Sequence, residues 1–420
     1  MFSNIFKTLT ISVLSLFIFL GKINAADTLR LSLREIDQRF LEKNLSLIVS
    51  KSNIDITKAF TEQAKLWDNP NFFFENNLIN FEKPTVLDGQ QFLQVSQLFL
   101  LAKKRQKLVA LSQENERLSE AQFYDFMRAL RHQLHTDFHS LANIDRQLAW
   151  FTTQITAFEQ LTQTVSSQVT AGNMAQKDVV RLQSQLVQLQ HDAAELERTK
   201  IPFQAELQAL LGEKNIVIVL PQEAPLSIEA SKLAYNDLVN TAYTSRTDLK
   251  VADVSIAIQE KNLIYQKALA KPDLTVGMNY DRVNAYVPNY IGVQFSVPLP
   301  VFNRNQGNIK AAELGIKQQQ MAKDATTVQV GSEVAAAFRQ IVELDAWRKG
   351  KSADLYRSFE TFYQSNVLQS YQSRQITLVE FMDFFQTYQQ NQLQQLNLDL
   401  QLRQAVEDLH FAVGKDVLNE

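Results

Sequence analysis

Two rhythms of apolar residues divide this chain. Over Leu108, Leu111, Leu118, Phe123, Met127, Leu130 and Leu134 the apolar positions recur mostly at three- and four-residue steps, the period of a helix with one packing stripe. Neither glycine nor proline falls between Gly89 and Gly172, so the stripe predicts one helix over about 102–171. Such a helix is roughly 100 Å long at 1.5 Å per residue. A returning helix over about 174–212 carries Gln183, Leu186, Leu189 and Ala193 on its stripe. A second pair is expected over about 307–372 and 376–414, with Leu393, Leu396, Leu400 and Leu402 on the last helix. Helices this long cannot fold around a globular core; they pack side by side, as a coiled-coil cylinder or an extended hairpin.

The second rhythm has period two. Leu274, Val276, Met278 and Tyr280 interleave with Thr275, Gly277, Asn279 and Asp281, and Ile291, Val293, Phe295 and Val297 with Gly292, Gln294 and Ser296. One apolar and one polar face is the pattern of a barrel strand in a membrane, as it is of a soluble hairpin with one buried face. Strands are expected over about 273–283 and 290–298, and, less regularly, over 71–80 and 90–99. Aromatic residues at the strand ends (Phe72, Phe73, Phe74, Tyr280, Tyr286, Tyr290) favour the membrane.

The two rhythms occur twice. Pro70 and Pro272, Gly172 and Arg374, Asp178 and Glu380, Gly212 and Gly414, and Leu47 and Leu249 all stand 202 residues apart. The pattern predicts a tandem duplication, each repeat running helix, strand, strand, long helix, long helix. The first repeat is expected over 26–215 and the second over 231–420, joined by a linker over 216–230 that contains Pro221 and Pro225.

Four strands per chain cannot close a barrel, and unpaired edges are prohibitively costly in a bilayer. Two copies would give eight strands with a filled interior, and three would give twelve with a lumen, so a conducting assembly is expected to be a homotrimer. The N-terminus agrees with export: Lys7 precedes an apolar stretch from Leu9 to Leu20, and a small-residue cut is expected after Ala25, making 1–25 a signal peptide. Its removal takes the net charge from −3 to −5 through the loss of Lys7 and Lys22, too mild a charge to suggest a nucleic-acid partner. With no cysteine there is neither a disulfide nor a thiolate site.

The stretch Pro298-Leu299-Pro300-Val301-Phe302-Asn303-Arg304-Asn305-Gln306-Gly307, between strand and helix, resembles the outer-membrane factors, the TolC-like efflux proteins, and looks closest to the CzcC-like heavy-metal branch. The resemblance covers essentially the whole mature chain. Its first-half counterpart is Leu101-Ala102-Lys103-Lys104-Arg105, where relatives usually place Gly-Lys-Arg; Ala102 departs from that glycine. On elementary grounds Pro298 and Pro300 end the sheet ladder for want of N–H donors, and Gly307 is expected to be the permissive joint before the helix, with Asn303 and Arg304 in the turn. Lys103, Lys104, Arg105 and Arg304 are expected at the barrel rim, facing water or lipid head groups.

The resemblance implies a mainly α protein with a small membrane β-barrel, shared by a homotrimer in outer-membrane lipid of a Gram-negative bacterium. A helical tunnel would run into the periplasm, where an adaptor protein and an inner-membrane efflux transporter dock. It puts the hairpin tips, as adaptor contacts, at Ala171-Gly172-Asn173-Met174 and Ser373-Arg374-Gln375-Ile376. No acid lies between Glu159 and Asp178 or between Glu360 and Glu380, so Gln369, Gln372 and Arg374 are the aperture candidates in place of an acidic ring. The function implied is passive conduction of metal cations or drugs; the alternative is a periplasmic adaptor with long hairpins, although adaptors usually carry one hairpin and compact β-domains.

No phosphate loop, nucleophile elbow or paired-carboxylate arrangement occurs in a fitting context, so no enzyme and no cofactor is expected. His132, His135 and His139 fall on one helical face, a weak candidate for a divalent metal and more simply a packed or solvated face.

Overall fold

The computed structural model describes residues 27–418, apart from 77–90, 215–216, 224–227, 229 and 285–286. The expected signal peptide over 1–25, Pro225, Tyr286 and the far end of the 71–80 strand lie outside the described residues.

In chain order the elements are β1 (Asp27–Ser32), α1 (Leu33–Lys43), α2 (Leu45–Lys65), β2 (Asn71–Asn76), β3 (Gln91–Phe99), α3 (Lys104–Thr170), α4 (Gln176–Leu210) and β4 (Val217–Gln222). There follow α5 (Tyr235–Ser245), α6 (Thr247–Leu269), β5 (Leu274–Asp281), β6 (Tyr290–Ser296), α7 (Gln306–Lys349), α8 (Lys351–Phe362), a π-turn (Tyr363–Val367), α9 (Leu368–Gln372) and α10 (Leu378–Val413).

The helices form a layer four columns wide. Beside the sheet the order is α2, α3, α6, α7, and towards the hairpin tips it is α4, α3, α10, then α7 and α8. Only α3 runs unbroken through both levels, because its 67 residues contain no glycine or proline. The columns beside it are spliced from two helices each. Asn44 makes one splice: its Oδ1 accepts from Leu47 N at 2.8 Å, capping α2, while its Nδ2 donates to Leu210 O at 2.7 Å, at the end of α4. At the equivalent splice Arg246 donates to Ala412 O and Ser245 donates to Val413 O, at the end of α10. Gly212 and Gly414 terminate the lower helices with φ of +64° and +76°, a conformation glycine adopts without a Cβ penalty.

Positions 202 residues apart share backbone shape at three further points. Gly172 and Arg374 both turn left-handed (φ +77° and +63°), Lys103 and Asn305 both precede a long helix at φ near +59°, and Pro70 and Pro272 both precede a strand. The departure at Ala102 proves to be one of residue and not of shape: Ala102 itself stands at φ +53°. Replacing it with glycine should therefore stabilise the protein by about 1 kcal/mol by removing the Cβ strain. An unchanged or lowered thermal midpoint for Ala102→Gly would contradict this account.

Four antiparallel strands form one sheet in the order β2-β3-β5-β6. The register puts Phe72, Phe74, Leu93, Val95, Val276, Met278, Ile291, Val293 and Phe295 on one face, and Gln94, Ser96, Thr275, Gly277, Asn279, Gln294 and Ser296 on the other. On the polar face Gln94 donates to Gln294 across β5, where Gly277 leaves room.

Several expectations need correction. The described residues hold six strands and not four, because β1 and β4 pair in parallel as a separate two-stranded sheet. The supposed linker over 216–230 thus contains a strand, Pro221 included, packed on α3 and α4 through Val219. The helix expected over 307–372 is interrupted. It stops at Gly350, whose ψ of 175° is extended, and passes through the π-turn. There Tyr363 stacks on Tyr388 with ring centroids 4.2 Å apart. Gly307 is not the joint either, since it lies inside α7 with open space around it, and Asn305 turns the chain instead.

Candidate functional site

An open layer of helices and an open sheet have free edges, and the character of those edges decides what the molecule can do. The outer columns carry apolar residues on their free flanks at coiled-coil spacing. On α7 these are Leu314, Met321, Val328 and Val342, with Met321 and Val328 each 71% exposed. On the opposite column Leu45, Val49, Ile56 and Phe60 of α2 continue into Val180, Val187 and Ile201 of α4. The sheet repeats this order: β2 and β6 are its free edges, on the same two sides as α2 and α7, and its apolar face is exposed through Phe72, Val95, Met278, Ile291, Val293 and Phe295. An exposed apolar face this large in one chain needs lipid or another protein to cover it. No helix among the described residues is long and apolar enough to cross a membrane.

The rim where sheet meets helices departs from the simple picture of basic residues in water. Lys104 is buried, 4% exposed, and its ammonium donates to Asp273 at 2.7 Å and to Lys271 O at 2.6 Å. It fixes the start of β5 to the start of α3, so it stabilises the junction between the repeats. Arg105 lies over the Trp67 ring at 3.8 Å, a cation–π contact. Lys103 and Arg304 are exposed. Beyond β6 the irregular segment with Pro298 and Pro300 leads to Asn303, whose Oδ1 accepts from Asn305 N at 3.0 Å, and Asn305 Nδ2 donates to Gln266 O at 2.8 Å. Asn305 thus ties the turn to α6. The 202-residue offset from Lys103 was the only sequence signal for it.

The two hairpin tips are built alike. At the first, Asn173 N donates to Gln168 O at 2.8 Å around the left-handed Gly172; at the second, Gln375 N donates to Ser370 O at 2.8 Å around Arg374. Ala171, Gly172, Asn173, Ser373, Arg374 and Gln375 are exposed, whereas Met174 and Ile376 pack against the core between the hairpins. Gln369 and Gln372 are exposed on the turn of helix above Arg374. The hairpins differ in their returning helices. Thr377 and Glu380 form a full capping box at the start of α10, while Ala175 gives α4 no side-chain cap. An aromatic core of Phe158, Phe381, Phe385, Tyr363 and Tyr388 fills the space between the hairpins.

The three histidines of α3 are engaged by carboxylates. His135 lies 2.8 Å from both Glu407 of α10 and Asp37 of α1, His139 lies 2.5 Å from Glu223 after β4, and His132 lies 2.8 Å from Asp408. His410 adds a fourth histidine 3.8 Å from Glu407, and Arg131 bridges Asp37 and Asp416. No group of three metal-ligating side chains among the described residues is placed to hold a metal ion. Burial acts to lower the His135 pKa, but the hydrogen bonds and charges of Asp37 and Glu407 prevail and hold it up at about 9. Burial acts to raise that of Glu407, and hydrogen bonds from His135, His139 and His410 outweigh it, keeping the carboxyl well below the usual range. The cluster joins α1, α3, the segment after β4, and α10, so it clasps the equator of the molecule. Sequence alone showed the histidine face but not the carboxylates opposite, which come from three distant segments.

No family model matches the chain. The cobalt-zinc-cadmium resistance protein CzcC of Cupriavidus metallidurans is 22% identical over 291 residues, which is 67% of this chain and 65% of that protein, so the match spans just under two thirds of the curated relative. Solved structures share the fold, two of them outer-membrane proteins of other bacteria. The outer membrane protein VceC of Vibrio cholerae superposes with a TM-score of 0.71 at 15% identity, covering 91% of this chain and 96% of that one. The CmeC outer membrane channel of Campylobacter jejuni superposes with a TM-score of 0.72 at 12% identity, covering 92% and 87%.

Proposed function

We propose, from the premise that this chain is a TolC-like outer-membrane factor of the CzcC-like kind, that it is the exit channel of a tripartite efflux pump. Three copies join in a ring in the outer membrane and extend a tunnel into the periplasm. The observation that carries this reading is the agreement of the two layers. Sheet and helices open on the same two sides, both outer columns bear apolar coiled-coil seams, and one sheet face is mostly apolar, with Gln97 among its polar residues. Joining β6 to β2 of the next copy pairs both edges of the four-stranded sheet, and joining α7 to the column of α2 and α4 covers the two seams. A heterologous contact of this kind closes only as a ring, and three copies give twelve strands around a polar lumen lined by Gln94, Asn279 and Gln294.

The exposed tips around Gly172 and Arg374 are the surfaces for a periplasmic adaptor, with the inner-membrane transporter beyond it. Gln369, Gln372 and Arg374 line the narrow end. Conduction is passive, and the cargo is metal cations, by the likeness to a cobalt-zinc-cadmium resistance protein. The test is expression of the full-length precursor in a Gram-negative host. We expect detergent-extracted trimers from the outer-membrane fraction, ion-conducting steps in planar bilayers, and tolerance of cobalt, zinc and cadmium that a deletion strain lacks. Gly172→Glu and Arg374→Glu should leave the trimers intact, because both side chains meet open solvent, while metal tolerance falls to that of the deletion strain. Monomers in the soluble fraction would overturn the channel, and full tolerance in both tip variants would overturn the docking assignment.

A further inference from the structure

The segment after β6 presents its apolar residues to solvent in an unusual way: Leu299 is 78% and Phe302 92% exposed. It is also stiff, with Pro298 and Pro300 fixing φ twice, a Val301 N to Leu299 O hydrogen bond at 2.9 Å, and the Asn303–Asn305 turn behind it. A phenylalanine held out on a rigid arm is pre-organised to enter something. On the side of the molecule away from this arm, a cavity of about 390 Å³ lies between the end of α2 and the start of α3, walled by Phe60, Leu66, Trp67, Asp68, Leu100 and Leu108 and reaching Tyr265 of α6. Strand register puts the two features at one level, since Asn71 of β2 lies in the same row as Ser96, Gly277 and Gln294 of β6. Charge agrees as well. Of the charged residues in the cavity wall, Lys104 is paired with Asp273 and Arg105 lies over Trp67, which leaves Asp68 without an ion-pair partner among the described residues; Arg304, two residues after Phe302, has none either.

We propose that Phe302 of one copy inserts into the Phe60–Trp67–Leu108 cavity of the next, with Arg304 meeting Asp68, so that each copy locks its neighbour at the sheet–helix junction. The proposal rests on the ring assembly and names the contact that sets its handedness and register. The ring of Phe302 meets aromatic walls on Phe60 and Trp67, in a cavity whose wall also holds Arg105 against the Trp67 ring.

The absence of native cysteine makes the test direct. The double variant Leu66→Cys, Phe302→Cys should give dimers and trimers on oxidation that vanish with reductant, while each single variant gives none. Phe302→Ala should weaken association of copies about tenfold or more. Asp68→Arg should weaken it too, and adding Arg304→Asp should restore most of the loss, which a merely disrupted fold would not allow. Trimers that form normally, do not cross-link and tolerate Phe302→Ala would overturn the insertion while leaving the channel intact. Phe302→Trp quenched by brominated phospholipid would overturn it in favour of a lipid anchor. Failure of the wild-type chain to form trimers would overturn the ring itself.

Discussion

Gly212→Ala is expected to be among the most damaging single-atom additions this chain can suffer. The lower helix of the first spliced column ends there, and a Cβ would lie 2.2 Å from Lys43 O, a backbone atom at the end of α1, next to the Asn44 splice. The splice cannot relax without separating Asn44 from Leu210, so we expect a loss of about 3 kcal/mol or more and a failure of trimers to survive mild heating. Two other glycines calibrate the effect. Gly414 would place its Cβ 3.2 Å from Arg246 Cα, which a shift of a few tenths of an ångström can absorb, and Gly172 would meet nothing within 4 Å. All three have positive φ, so Gly172→Ala should cost only the roughly 1 kcal/mol of a left-handed alanine. Unfolding midpoints should therefore fall in the order Gly212, Gly414, Gly172, largest first. An equal loss at all three would show that φ alone sets the cost and that the close approach of the two helices is unimportant.

The second large effect is expected at Glu407. Its carboxylate is buried and meets His135 at 2.8 Å, with His139 and His410 each 3.8 Å away. Glu407→Leu removes the shared acceptor and leaves the buried His135 with Asp37 as its one carboxylate, so we expect a loss of about 3–5 kcal/mol. Glu407→Gln, which keeps a hydrogen-bond acceptor, should cost less. The same pairing makes stability depend on pH. His135 is raised from 6.5 to about 9, so it takes up a proton more readily folded than unfolded. Its contribution is fully present below pH 6.5 and is lost as pH rises through 9. The thermal midpoint should thus fall between pH 7 and 10 in the wild type, and His135→Leu should flatten that slope. A wild-type midpoint that stays level across the window, or a Glu407→Leu variant within about 1 kcal/mol of the wild type, would refute the role given to the cluster.

How much of this was legible beforehand depends on the range of the interactions involved. The period of apolar residues gave the long helices and the alternating strands, because Leu108 to Leu134 and Leu274 to Tyr280 each encode their own local geometry. The splices were half visible: glycine at 212 and 414 signalled a helix end, but nothing local to Asn44 signalled that it caps two helices at once. The β1–β4 sheet was missed because its strands are short, lie 190 residues apart in register and flank segments that look like linker. The break at Gly350 was overlooked because Gly331 in the same helix is tolerated; what separates the two is extended backbone at Gly350, a tertiary outcome. Lys104 was expected in water or among lipid head groups from its place in the turn at the rim, and its burial follows from Asp273, which becomes a neighbour only when the two repeats dock. Local pattern thus revealed elements and order, while the residues that join distant segments could be found only in three dimensions. The exception was the internal repeat, which linked Gly172 to Arg374 and Gly212 to Gly414 by arithmetic; the same offset joins Asn44 to Arg246, a link found only once the splices were seen.

The unbroken column has a mechanical consequence. In a ring of three copies, three continuous struts of roughly 100 Å would alternate with columns jointed at Asn44, Arg246 and Gly350. In such a ring a pull applied at the tips would pass along the struts to the sheet almost undiminished, whereas bending would collect at the joints. A tube of this kind would be stiff along its axis and compliant around its waist, so that widening its tip end need not disturb the sheet at the other end.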